Sequence, residues 1–595
     1  MNEVRQRIKN LRLEMLKRDL DAWYISGTDP HNSEYLIPGW QTRSFITGFT
    51  GSFGIVVVTN EEAGLWTDTR YFLQAPEQLK GSGIKMYKLR VHDAVSPELW
   101  LSRKLASGSK VGFDPRTISV SVYRKLQEKL SGEGISLVET PDLFNYIWDN
   151  RPEIPDAPVF ELETKFAGQS RREKRELIIS ELKKRSADLQ IVTSMDELAW
   201  IFNLRGSDVI YNPLFTGYGI VGMDKYMLFV GNEKVPSEIR CRLEKDKVEI
   251  MDYNEFYSRI KSLKNNSVMI DPSTTNYAVY KSLVSENRII EGTSVAALLK
   301  ARKNPVELAG FREVMKNDGA ALTEFLYWLK EHAGNSDITE YICGQKLGEF
   351  RSKQEGYMGD SFAPIVGYKE HGAIVHLTVG SEDALPVGED GILLFDSGGH
   401  YKRGTTDITR TVALGNITPQ QQKDFTLVLK GVIGLSKAKF PEGTKGCNID
   451  ILARKALWDS GLNYGHGTGH GIGHFLNVHE GPMSVRQELN DVPLSPGMVL
   501  SNEPGIYRDG EYGIRIENIM VCVEKEETAF GKFLGFETLT LCPVDTSLID
   551  LSLLDDTEKE WLNRYHLRVR NELKPFLKES LHGFLDELTA PISAG

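Results

Sequence analysis

Asp396, Asp407, His470, Glu503 and Glu517 are the residues of this chain whose types and settings could do chemistry together, each lying in a Gly-rich or alternating stretch that suits a strand or tight turn. Four carboxylates and one imidazole form an oxygen-rich ligand set. Their negative charge is too great for one divalent cation. Two cations about 3.5–4 Å apart, bridged by two of the carboxylates, balance it and can hold a hydroxide between them at neutral pH. The expectation is a two-metal hydrolase. Mostly oxygen donors favour hard cations, Mn²⁺ first, with Zn²⁺ or Co²⁺ as substitutes.

Three segments must deliver these groups. GILLFDSGGHYKRGTTDITRTVAL places Asp396 at the end of an apolar strand. An Asp ending a buried run is costly unless paired or metal-bound. A Gly-Gly turn then returns the chain antiparallel, bringing Asp407 near Asp396, with Thr409 and Thr411 on the same face. NEPGIYRDGEYGIRIENIMVCV repeats the device: Glu503 precedes a Pro-Gly turn, Asp509-Gly510 signals a hairpin, and Arg515 and Glu517 alternate onto one face. Taken singly, Glu503 and Glu517 could equally be ion-paired with Arg508 and Arg515. Two hairpins with two carboxylates each suggest pseudo-symmetric halves around one site. GHGTGHGIGHFLNVHEGP supplies the imidazole; its four histidines, threaded with glycine, leave little room for a core role. A phosphate loop fits poorly, since the run lacks Lys-Ser/Thr, and no HExxH helix is present. Seven of the 12 histidines lie between His371 and His479. His376, His466 and His479 are the candidates for holding substrate and moving protons. His31, His92, His332, His566 and His582 read as surface or hydrogen-bonded core residues.

The 595 residues are too many for one core, and the 41% apolar content suits several globular domains. A net charge of −11 argues against a nucleic-acid surface. Five scattered cysteines without a CxxC fit reduced thiols and a cytoplasmic protein. The charged start, MNEVRQRIKNLRLEMLKRDL, has no signal-peptide core, and no apolar run is long enough to span a membrane.

The expected class is α/β (α+β). Val4, Ile8, Leu11 and Met15 mark an amphipathic helix over residues 1–20. A strand, DAWYIS, and a hairpin, SFGIVVVTN to EAGLWTDTRYF, follow. After the Pro-rich linker RPEIPDAPVF, a second helix, strand, loop and hairpin repeat that order, which reads as a duplication. The expected domains are 1–156, 157–302 and 303–595, the last opening on a long helix near Pro305 and ending in a helical extension, about 543–595. There Leu562, Tyr565, Val569, Leu573, Phe576 and Leu577 form an apolar stripe.

At these residues the chain resembles the pita-bread metallopeptidases, among them methionine aminopeptidase, prolidase and aminopeptidase P, with creatinase as a metal-free cousin. It is most similar to the long, three-domain aminopeptidase P family, through TDTRYFLQA, NLRGSDVIYNP, GAIVH, FDSGGHY, GTGHGIGHFLNVHEGP, SNEPGIYRDGEYGIRIEN and LTLCPVDTSLIDLSLL. The resemblance implies two creatinase-type N-terminal domains before a pita-bread catalytic domain with pseudo-twofold halves. It also implies ligand roles: Asp396 on one metal, His470 and Glu503 on the other, Asp407 and Glu517 bridging, and Glu503 exchanging a proton with the hydroxide. His376 and His479 would line the substrate site, His466 would relay a proton beside the metals, and Arg515 would support the ligand shell. The implied reaction is release of an N-terminal residue from peptides with proline at position 2, by a cytoplasmic homodimer. Arg70 in TDTRYF, on a domain that in the family faces the active-site mouth, would bind the substrate carboxylate. Prolidase-type dipeptidase activity and non-catalytic peptide binding on the same fold are the alternatives.

Overall fold

A computed structural model of the chain describes residues 2–593. They divide into two compact units: residues up to Leu162 with Gln169–Leu299, and Glu163–Gly168 with everything from Lys300 onward. Among the described residues no helix is long and apolar enough to cross a membrane.

The first unit contains two six-stranded sheets of one topology. Its opening helix, Asn2–Leu16, buries Val4, Ile8, Leu11 and Met15, the expected stripe. Strand Ala22–Ile25 then pairs antiparallel with Ile55–Thr59 and parallel with Lys110–Phe113. In the second sheet Leu189–Val192 pairs antiparallel with Gly217–Gly222 and parallel with Ser267–Ile270. Numbered within each sheet, both run in the order 4-3-2-1-5-6 with the same parallel and antiparallel neighbours. The duplication read from the sequence is thus present in the strand order. It extends to DPRTISVSVYRKL and DPSTTNYAVYKSL, whose Ser119 and Asn276 cap equivalent helices and form a β-bridge with each other. The helix Met195–Ile201, between the second block's first strand and hairpin, falls where the sequence reading had none.

The second unit opens on the helix Pro305–His332, started by Pro at its first turn and by reciprocal hydrogen bonds between Asn304 and Glu307. Two helix pairs each precede a set of strands. Pro305–His332 and Glu340–Ser352 lead into a sheet of Ile365–Tyr368, Ile392–Ser397 and Ile408–Ala413. Pro419–Ser436 and Ile451–Asp459 lead into a six-stranded sheet that includes Gly469–Gly471, Val499–Asn502 and Asn518–Thr528. These are the pseudo-twofold halves of a pita-bread fold. The C-terminal helix Asp556–Leu573, which a shorter helix His582–Leu588 follows, buries Leu562, Tyr565, Val569 and Leu573 in the same core as Val428, Val432 and Ile519. Pro575 interrupts it, so Phe576, expected in the buried stripe, is 45% exposed while Leu577 stays inside.

Candidate metal centre

All five predicted ligands lie in the second unit, four of them at or next to strand ends. Asp396 is the penultimate residue of Ile392–Ser397, in register with Thr409 of the antiparallel Ile408–Ala413, which begins directly after Asp407. His470 is the middle residue of Gly469–Gly471. Val499–Asn502 and Asn518–Thr528 pair Asn502 with Asn518, so Glu503 and Glu517 leave the sheet at the same level. Between them the chain makes a smaller hairpin, Gly505–Arg508 with Tyr512–Arg515, turned by Asp509-Gly510 with Gly510 at φ +71°. The halves are stitched together at the site: Glu517 N donates to Thr409 O (3.0 Å) and Thr411 Oγ1 to Arg515 O (3.1 Å).

Donor atoms of Asp407, His470 and Glu517 lie within 4.8 Å of one another. His470 Nε2 stands 3.4 Å from both Asp407 Oδ2 and Glu503 Oε1. Its Nδ1 is 3.0 Å from Gly471 O, a carbonyl that can only accept, which leaves Nε2 to face the carboxylates. Asp396 joins through Arg515, whose Nη2 donates to Asp396 Oδ2 at 2.6 Å and whose Nε donates to Thr409 Oγ1 at 3.0 Å; that hydroxyl donates on to Glu517 Oε2 at 2.9 Å.

The electrostatics are those of a site lacking positive charge. Burial, with Asp407 and Glu503 nearby and only partly offset by Arg515, pushes Asp396 up to about 7. Burial and the neighbouring carboxylates raise Glu517 well above the usual range, and burial also raises Glu503. His470 is raised as well, for a different reason: burial disfavours its charge, but Asp407 and Glu503 outweigh that and push it up to about 9. Asp396 Oδ1 and Glu517 Oε1 are buried with no hydrogen-bond partner among the described residues. Orphaned carboxylate oxygens at this depth are costly unless a cation meets them. The donor set therefore fits divalent cations.

The alternative pairing of Glu503 and Glu517 with Arg508 and Arg515 does not form. Arg508 turns to Asp424 (Nε to Oδ2, 2.6 Å) and Arg515 to Asp396. Of the other histidines, His466 lies with Nδ1 3.9 Å from Glu503 Oε2, and His479 packs its ring perpendicular to that of His470, centroids 4.4 Å apart. His376 lies just before Leu377, which packs on Ile365 and Leu394, flanking the Ile365–Asp396 pair. His474 departs from the expectation for the Gly-His run: it is a buried core residue edge-on to Phe311, because the chain there turns under the long helix. Tyr507, which the sequence reading passed over, is central. Its hydroxyl accepts from Arg515 Nη1 (2.6 Å) and lies 2.9 Å from His466 Nε2. Its alternation with Arg515 across the Asp509-Gly510 hairpin was the available signal. Arg70 lies in the first unit, its guanidinium held by Asp68 through two hydrogen bonds of 2.9 Å, with Glu34 at 3.7 Å.

The fold and this donor set define a metallohydrolase of the pita-bread class. The model of metallopeptidase family M24 matches residues 309–524, that of its C-terminal region matches 532–592, and two creatinase/prolidase N-terminal domain models match 7–146 and 150–307. A protein of Laccaria bicolor named "Probable Xaa-Pro aminopeptidase P" is 39% identical over 587 residues, covering 96% of this chain and 91% of its own. One of the same name from Sordaria macrospora is 40% identical, covering 95% of each. The X-prolyl aminopeptidase of Caenorhabditis elegans, described as a cytosolic enzyme with a di-nuclear active site, is 37% identical and superposes with a TM-score of 0.95 over 99% of this chain and all of that one. The chain belongs to metallopeptidase family M24, and it is a hydrolase.

Proposed function

We propose that the chain is an aminopeptidase that removes the N-terminal residue from peptides with proline in the second position. The observation that carries this is the convergence of Asp407, His470 and Glu517 donor atoms, flanked by Asp396 and Glu503, in a chain similar over nearly its full length to proteins bearing that name. Asp396 would hold one cation and His470 with Glu503 the other, with Asp407 and Glu517 between them. When bound, two divalent cations, Mn²⁺ by the oxygen-rich donor set, acidify a water and polarise the scissile carbonyl. Proline makes that bond a tertiary amide without an N–H.

The chain's own groups do the rest. Glu503, its carboxyl raised by burial, holds and returns a proton between water and leaving nitrogen. Arg515 fixes Asp396 while presenting Tyr507 to His466, so the three act as one braced unit. His466 passes protons at Nε2, and His376 and His479 orient the substrate. Arg70 takes the peptide's free carboxylate. The five cysteines, none in a disulfide, and the cytosolic C. elegans relative support a cytoplasmic protein, and we read it as a homodimer.

The test compares a Xaa-Pro-Yaa tripeptide with the Xaa-Pro dipeptide, using Mn²⁺-loaded enzyme. Turnover of the tripeptide with little of the dipeptide is expected. The reverse would identify a dipeptidase, and turnover of neither a binding protein. His470→Ala should lose metal, whereas His376→Ala, His466→Ala and His479→Ala should lower kcat/KM with metal retained.

A further inference from the structure

Glu340 is the first residue of the helix Glu340–Ser352, yet its buried carboxylate turns away from the helix's own N–H groups, and Thr339 caps the helix through Ile342 N. Among the described residues, its three side-chain hydrogen bonds all go to one loop. Oε1 accepts from Tyr368 N at 2.8 Å, and Oε2 accepts from His371 Nδ1 at 2.9 Å and from Leu385 N at 2.8 Å. Tyr368 and Leu385 are the two ends of the excursion that carries His376. One carboxylate therefore closes its neck, aided by Glu340 N donating to Leu385 O at 3.0 Å. Two further points fix the loop on the site. Gly372 meets Gly513 so closely that a Cβ on Gly513 would lie 1.7 Å from Gly372 O, next to the strand end that bears Arg515. Leu377 packs on Ile365 and Leu394, beside Asp396. His376 lies between these two contacts.

We propose that Glu340 is a positioning residue for His376: by closing the loop's neck it sets where that imidazole meets the substrate. The inference rests on reading His376 as a substrate-facing group. A charge-assisted acceptor shared by three donors is stiffer than a neutral one. In Glu340→Gln one of the two oxygens becomes an NH₂ that cannot accept, so at least one donor at the neck loses its partner.

The test is a double-mutant cycle on tripeptide hydrolysis, with metal content and Tm measured on every variant. Glu340→Gln should lower kcat/KM about tenfold with metal content unchanged. His376→Ala should lower it about a hundredfold, and the double variant should match His376→Ala alone, because Glu340 acts only through that side chain. Wild-type kinetics in Glu340→Gln, or losses that multiply in the double variant, would overturn the inference and leave the reading of His376 intact. Wild-type kinetics in His376→Ala would overturn both. His371→Ala, which removes one donor from the surface side, gives the same cycle should Glu340→Gln not fold: a loss at wild-type Tm that vanishes in the His376→Ala background supports the inference, and one that persists overturns it.

Discussion

Asp318, Asp424 and Asp450 are as buried as Asp396 and Glu517, but the protein treats the two groups oppositely. Each framework carboxylate meets a guanidinium: Asp318 meets Arg351 at 2.7 Å, Asp424 meets Arg508 at 2.6 Å, and Asp450 meets Arg454 at 2.6 Å. Glu480, one residue beyond His479, is enclosed by both Lys300 and Lys303. At the centre, Asp396, Asp407, Glu503 and Glu517 share one guanidinium and one imidazole, and two of their oxygens have no hydrogen-bond partner among the described residues. The framework carboxylates find their countercharge within the polypeptide, whereas the centre has more carboxylates than cationic side chains to balance them. Uncompensated buried charge, more than burial or charge alone, separates a site from a scaffold.

The largest effect that sharpens this contrast is at Asp407. Asp407→Ala should cut kcat by about a thousandfold or more, since several kcal/mol of metal-derived stabilisation is lost. In the metal-free state it should not lower Tm, because it relieves repulsion among the remaining carboxylates. Kinetics in metal-controlled buffer together with calorimetry check both, and wild-type kcat would remove Asp407 from the ligand set. Asp318→Asn should do the converse. It strands the Arg351 guanidinium and should cost about 3–5 kcal/mol of stability, read by denaturant unfolding, while the folded enzyme keeps its metal content. A neutral effect would break the comparison.

The pH dependence of the metal-free protein follows from the raised groups. Asp396, at about 7 when folded, holds a proton that the unfolded chain releases near its ordinary value of 3.8. Its contribution is full below that lower value and is lost as pH rises through 7. His470, at about 9 against an ordinary 6.5, contributes fully below 6.5 and loses it as pH rises through 9. Both signs agree, so chelated protein should lose stability steadily between pH 5 and pH 9, on the order of 6 kcal/mol at about 1.4 kcal/mol per pH unit for each group, and metal should abolish the decline. Melting curves of chelated and Mn²⁺-loaded protein provide the check, and a metal-free Tm that rises with pH would contradict the raised values. The smallest effect is at Arg70, already paired with Asp68. Arg70→Ala should raise KM for a free-acid tripeptide about threefold, on the scale of one exposed charge contact, and leave its amide unchanged. Equal effects on both forms would place Arg70 in the framework.

Much of this was legible in the sequence because it is local. The apolar run before Asp396, the alternation through Thr409 and Thr411, the Pro-Gly and Asp-Gly turns around Glu503 and Glu517, and the glycines about His470 each prescribe the local strand or turn on which the structure places that residue. The duplicated helix, strand and hairpin order was readable for the same reason. Partner choice was not. Arg508 and Arg515 sit close in sequence to Glu503 and Glu517, yet one turns to a helix at Asp424 and the other across the halves to Asp396. His474 follows a glycine in the same run as His470 and lies in the core instead. Glu340 reads as an ordinary helix-start acid until Tyr368, His371 and Leu385 are folded against it. Alternation and turn chemistry determine which way a side chain leaves its own strand, over a few residues. Which buried charge it meets is decided by the packing of segments remote in sequence, and only the tertiary structure brings those together.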